Sequence, residues 1–142
     1  MIGRGHRILP HTADVIVEAW GPDLGACVEE AITALISICV DVRPASIERT
    51  RSVRVGPGSY ESVLLAALDE VIFSLDTSTD VPVGVGVSLL GGDADVHLDL
   101  EFQLAASASV EPTGAGPKAI SRSGLNVESS PNEVQCTFLV DV

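Results

Sequence analysis

The apolar pattern of this 142-residue chain changes period near Asp80, and that change restricts the fold more than any other feature. Before it, Tyr60, Val63, Leu64, Ala67, Leu68, Val71, Ile72 and Leu75 recur at three- and four-residue steps. That is the stripe of an amphipathic helix, and Ser59 stands where its N-cap belongs. After it, Val81, Val83, Val85, Val87 and Leu89 alternate with small residues, and Gly91-Gly92-Asp93 marks a hairpin turn. The return strand sets Ala94, Val96, Leu98, Leu100, Phe102 and Leu104 against Asp95, His97, Asp99, Glu101 and Gln103. One face of such a strand is buried and the other is wet.

The flanking segments extend this plan. Residues 14–20 form a strand with Val15, Val17 and Ala19 on one face and Asp14, Ile16, Glu18 and Trp20 on the other. Gly21-Pro22 ends it, and Asp23 caps a helix over 24–40 whose stripe is Leu24, Cys27, Val28, Ala31, Leu35 and Ile38. Pro44 closes that segment. Residues 47–55 read as an exposed strand carrying Arg49, Arg51 and Arg54, and Gly56-Pro57-Gly58 as the turn after it. The loop 112–117 leads to a strand running from Lys118 to Val127. A turn at 129–132 precedes a last strand, 134–142, with Val134, Cys136, Phe138, Val140 and Val142 inward and Asp141 outward. With hairpins outnumbering βαβ units, the expectation is a single α+β domain over 1–142. In it, two amphipathic helices pack on a mostly antiparallel sheet of about six or seven strands.

Eight basic residues stand against twenty acidic ones, a formal net charge of -12. Such a surface repels phosphate backbones, so direct nucleic-acid binding is not expected, whereas cations and basic protein surfaces are attracted. The apolar stretches fall short of the ~20 residues of a membrane span, and the first seven residues lack the apolar run of a secretory leader. A soluble, cytoplasmic protein is expected, with no membrane partner. Cys27, Cys39 and Cys136 match no zinc or redox spacing and read as buried thiols.

Conventional catalytic motifs are missing: there is no GxSxG, no P-loop and no GxGxxG. The row Asp95, His97, Asp99 and Glu101 offers metal-ligating atoms, but its spacing is that of any half-exposed strand, and the solvated face is the preferred reading. His6 is assigned to a mobile N-terminus. Three residues remain: Asp14 at the mouth of the first strand, Asp141 beside the C-terminal carboxylate of Val142, and Lys118, the single lysine. If the first and last strands pair, Asp14 and Asp141 meet, and a few hard oxygens with open water positions suit Ca²⁺, Mg²⁺ or Mn²⁺. The alternative is that Asp14 caps local backbone and Asp141 solubilises the tail.

His-Thr-Ala-Asp-Val (11–15), Ala-Trp-Gly (19–21), the helix that follows and Asp41 resemble the opening of the archease family. Leu64-Leu65-Ala66-Ala67-Leu68-Asp69-Glu70-Val71, Lys118-Ala119-Ile120, Leu125-Asn126-Val127 and the ending Asp141-Val142 resemble its later segments. The resemblance runs from about residue 6 to the last. It departs where the family usually has Gly-Glu and Thr-Tyr-His, for which this chain has Gln103-Leu104 and Ser121-Arg122-Ser123. The resemblance implies two helices with a multistranded sheet. It also implies a non-catalytic partner of the GTP-dependent tRNA-splicing RNA ligase that promotes guanylylation and turnover, and a tRNA methylase as a further, chaperone-like client. It places a divalent metal on Asp14 and Asp141 at the C-terminal end of the chain, with Val142, and a functional lysine at Lys118. Without the resemblance, Asp14, Asp141 and Lys118 would equally suit a metal-dependent hydrolase or transferase acting on a small substrate.

Overall fold

The computed structural model describes residues 3–10, 14–43, 46–77, 80–92, 95–112 and 119–141. Pro44, Lys118, Val142 and the 11–13 segment singled out above lie outside the described residues. In chain order the elements are β1 (Gly5–Pro10), β2 (Asp14–Gly21), α1 (Leu24–Cys39), β3 (Val40–Asp41), β4 (Ile47–Gly58) and α2 (Tyr60–Thr77). They continue with β5 (Asp80–Gly92), β6 (Asp95–Ala106), a 3₁₀ turn (Ser107–Ser109), β7 (Glu111–Pro112), β8 (Ala119–Ser130) and β9 (Glu133–Asp141).

The α+β class, the two helices and the antiparallel pairing agree with the sequence. The seven long strands, however, do not form one sheet. They divide into a four-stranded sheet in the order β1-β2-β9-β8 and a three-stranded sheet in the order β4-β6-β5, with β3 and β7 as a separate short ladder. The helices lie between the two long sheets. Helix α1 packs on β2 and β9 from one sheet and on β5 from the other, and α2 packs on β8 and on β4, β5 and β6.

This placement explains α1. Its stripe accounts for Leu24, Cys27, Val28, Ala31 and Leu35, but Gly25, Ile32, Ala34, Ile36 and Cys39 are buried too, while Ile38 is only half-buried. A helix apolar on nearly every side is one covered on nearly every side. Its start is fixed by Asp23, whose Oδ1 accepts from the Ala26 N–H at 2.8 Å. In α2, the Ser62 N–H donates to the Ser59 hydroxyl oxygen at 3.2 Å, and Val63, Leu64, Ala67, Leu68, Val71 and Ile72 are buried. The alternation of β6 and β9 delivers Val96, Leu98, Leu100, Phe102, Val134, Cys136, Phe138 and Val140 to the core.

Two local expectations change. Gly56-Pro57-Gly58 is no turn: β4 runs on through it, with a register jump between Val55↔Leu98 and Gly58↔Val96. Gly56 has φ +103°, and a Cβ there would sit 2.5 Å from the Val96 carbonyl oxygen, so the irregularity needs glycine. The N-terminal segment is a strand, β1, paired along its length with β2 from Gly5↔Trp20 to Pro10↔Val15, so His6 is held in place.

Because α1 seals both sheets, truncating it costs more than truncating an ordinary surface helix. Leu35→Ala is expected to lower stability by about 2–5 kcal/mol in urea unfolding, while the exposed Thr33→Ala stays within about 0.5 kcal/mol.

Candidate functional site

The four-stranded sheet positions the carboxylates singled out above. Strands β2 and β9 run antiparallel, and their register places Asp14 opposite Asp141, Ile16 opposite Leu139, Glu18 opposite Thr137 and Trp20 opposite Gln135. Opposed residues of such a ladder share a face with Cβ atoms about 5 Å apart. That face is the outer one, because the intervening Val17, Ala19, Cys136 and Phe138 are buried against the helices. Asp14 is half-buried and Asp141 is exposed.

Ala119 of β8 stands on the other side of Asp141. Asp141 is therefore flanked by Asp14 and by the residue that follows Lys118 in the chain. Like charges directly opposite one another destabilise a ladder, and a cation between them reverses that sign. Two carboxylates supply part of the six or more oxygens a hard divalent ion takes, so the pair fits such an ion as a partial ligand set. Among the described residues no group of three or more His, Cys, Asp or Glu side chains converges on one point.

The other candidates have different employments. In the row Asp95, His97, Asp99, Glu101, the Asp99 carboxylate is engaged by Arg54 at 2.6 and 3.0 Å, which holds it below its ordinary value. The row is a solvated face with an ion pair on it. Asp41 accepts hydrogen bonds from the Arg43 side chain and backbone, which hold its carboxyl at about 2. Burial pushes the Cys39 thiol up to about 12, and a hydrogen bond with Cys136, reinforced by burial, pushes Cys27 upward as well. Neither Cys27 nor Cys39 presents a thiolate near neutral pH.

A cluster that the sequence reading missed joins the layers. Arg4, in the segment leading into β1, reaches Glu29 at 2.9 Å and Glu30 at 2.8 Å, and His6 Nδ1 lies 2.9 Å from Glu30 Oε1. The second oxygen of Glu29 accepts the Val87 backbone N–H of β5 at 2.9 Å. Two adjacent glutamates off the apolar stripe of α1 were the available signal. They tie β1 on one side to β5 on the other.

Residues 6–142 match the archease protein family (MTH1598/TM1083). The chain belongs to the archease family. It is similar to a probable archease of Mycobacterium tuberculosis, 32% identical over 138 residues, which cover 97% of this chain and 75% of that one. The archease of Archaeoglobus fulgidus is 28% identical over 137 residues, covering 96% and 98% of the two chains. Among solved structures, protein 1598 of Methanobacterium thermoautotrophicum superposes with a TM-score of 0.78 at 21% identity, covering 97% of this chain and 99% of that one. An archease of Thermotoga maritima described as a possible chaperone gives 0.63 at 14% identity, covering 96% of both. At those identities the two structures speak for the archease fold alone. Among the described residues, no helix is long and apolar enough to cross a membrane.

The Glu30 cluster makes this archease acid-sensitive in a defined direction. Burial alone would raise the Glu30 carboxyl, but the hydrogen bonds from His6 and Arg4 outweigh it and the net shift is downward. A depressed folded-state value means the stabilisation is full above the ordinary value of 4.5 and disappears as pH falls through the lower one. Glu30→Gln is therefore expected to cost roughly 1–2 kcal/mol at pH 7 and nothing in strong acid. Denaturant unfolding of both proteins across pH checks this.

Proposed function

We propose that this archease is an accessory factor of a GTP-dependent tRNA-splicing RNA ligase, promoting the ligase's guanylylation and turnover without being a catalyst itself. The observation that carries the reading is the register of β2 on β9, which sets Asp14 beside Asp141 at the end of the chain, on an exposed sheet face of an archease domain. Asp14 and Asp141 would hold a divalent ion, Ca²⁺, Mg²⁺ or Mn²⁺, with Val142 as a further candidate. Such an ion supplies Lewis-acid neutralisation of phosphate charge when bound.

The chain's own residues do the rest. The two aspartates would fix the position of positive charge at one end of the β2-β9 ladder. Lys118 precedes, in the chain, the β8 residue Ala119 that pairs with Asp141, and its compact ammonium would suit triphosphate oxygens. A charge of -12 steers the protein toward the basic cleft that a nucleotide-binding ligase needs. A tRNA methylase would be met in the same chaperone-like manner.

A metal-dependent hydrolase or transferase is the competing reading, and it calls for an enclosed pocket around these residues. Two open grooves of about 330 and 640 Å³ are lined by other residues, Trp20 and Gln135 in the first and Ser52 and Ser88 in the second.

Guanylylation of the purified ligase with GTP tests the proposal. Wild-type protein is expected to accelerate it, and Asp141→Ala and Lys118→Ala to lose about tenfold or more of that acceleration. Variants as active as the parent would remove both residues from the mechanism. Separately, millimolar Ca²⁺, Mg²⁺ or Mn²⁺ is expected to raise the melting temperature of the wild type and to leave that of Asp141→Asn unchanged. Identical responses in the two proteins would dismiss the metal site.

A further inference from the structure

The outer face of the four-stranded sheet carries an ordered pattern that begins one row from the aspartate pair and runs away from it. The β1-β2-β9 registers align into rows. Leu9, Ile16 and Leu139 form an apolar band across three strands, with Leu9 37% exposed and the other two half-buried. The next row is Arg7, Glu18 and Thr137, and beyond it stand Trp20 and Gln135. A groove of about 330 Å³ runs between these last two rows and takes in Glu133. The described elements that pack on this sheet lie against its other face.

We propose that this face docks an extended segment of a partner protein in which apolar side chains stand next to arginine or lysine. The band of Leu9, Ile16 and Leu139 takes the apolar side chains. The groove takes the cation, and the molecule contains an internal precedent for that contact. The Arg7 guanidinium lies 5.6 Å from the centre of the Trp20 ring and 3.3 Å from Glu18. An aromatic face beside carboxylates is what a guanidinium or ammonium group seeks.

Size decides between a segment and a globular partner. Three strands about 4.8 Å apart, rising about 3.4 Å per residue, make these rows a patch of roughly 14 by 20 Å. That is about a third of the ~800 Å² each side contributes to a standard protein–protein interface, and it suits one strand of peptide. The chain's charge of -12 and the Glu133 carboxylate favour a basic segment and repel nucleic acid, while Glu18 is shared with Arg7. The inference concerns the chemistry of the occupant and stands whichever enzyme the protein serves.

The probe is a fluorescein-labelled twelve-residue peptide alternating leucine with arginine, followed by anisotropy, with a leucine–glutamate peptide as its counterpart. The arginine peptide is expected to bind and the glutamate peptide not. Amide chemical-shift changes in the wild type are expected to map to β1, β2 and β9. Leu9→Ser and Glu18→Lys, at unchanged melting temperature, are expected to weaken binding at least tenfold. Glu101→Lys, the same charge change on the outer face of the other sheet, is expected to stay within twofold of wild type. No binding, equal weakening by Glu18→Lys and Glu101→Lys, or shift changes confined to β4, β5 and β6 would overturn the proposal. None of these results depends on the guanylylation assay, so each reading can fail alone.

Discussion

The burial of α1 between two sheets is the constraint on which the rest of the molecule depends. Its apolar residues close the inner face of β2 and β9 and, on the opposite side, that of β5. Without it β2, β9 and β5 would lose the cover of their inward side chains. Where α1 does carry charge, at Glu29 and Glu30, those side chains bond to β1, to the Arg4 segment before it and to the backbone of β5. The same helix thus supplies the apolar filling and the polar ties that hold the layers in one orientation.

Once that middle layer is fixed, the inner face of the four-stranded sheet is fixed, and so is which residues face outward. A one-residue slip of β9 would bury Asp141 and expose Phe138 and Val140, so hydrophobic burial enforces the register that sets Asp14 against Asp141. The candidate site is specified by apolar residues that take no part in it. The sheet carries two separate chemistries on its outer face, carboxylates at one end and an aromatic groove at the other.

How much of this was legible in the sequence follows from the range of each interaction. The stripe of α2, the N-caps Ser59 and Asp23 and the alternation of β6 and β9 are written within a few residues and were readable. Strand β1 was not, because Gly5-His6-Arg7-Ile8-Leu9-Pro10 pairs along one edge and has no clean alternation of its own. The division into two sheets was also invisible: alternation shows that a face is buried but not what covers it. The all-round burial of α1 escaped because the stripe followed one face and left out Ile32 and Ile36, while Gly25 and Ala34 are too small to stand out. The pairing of Asp14 with Asp141 spans nearly the whole chain, and only the resemblance to archeases or an assumption about neighbouring ends could suggest it.

The bond from the Val87 N–H to Glu29 has a consequence outside the folded monomer. Strand β5 is the margin of its sheet, and a thirteen-residue margin with small side chains and exposed Leu89 and Leu90 is the kind of surface on which another polypeptide can grow a fibril. A carboxylate from the helix already occupies one of the donors that an incoming backbone would need, and it leaves a negative charge in the path of that backbone. The contact that ties the layers together also protects the protein against self-templated polymerisation.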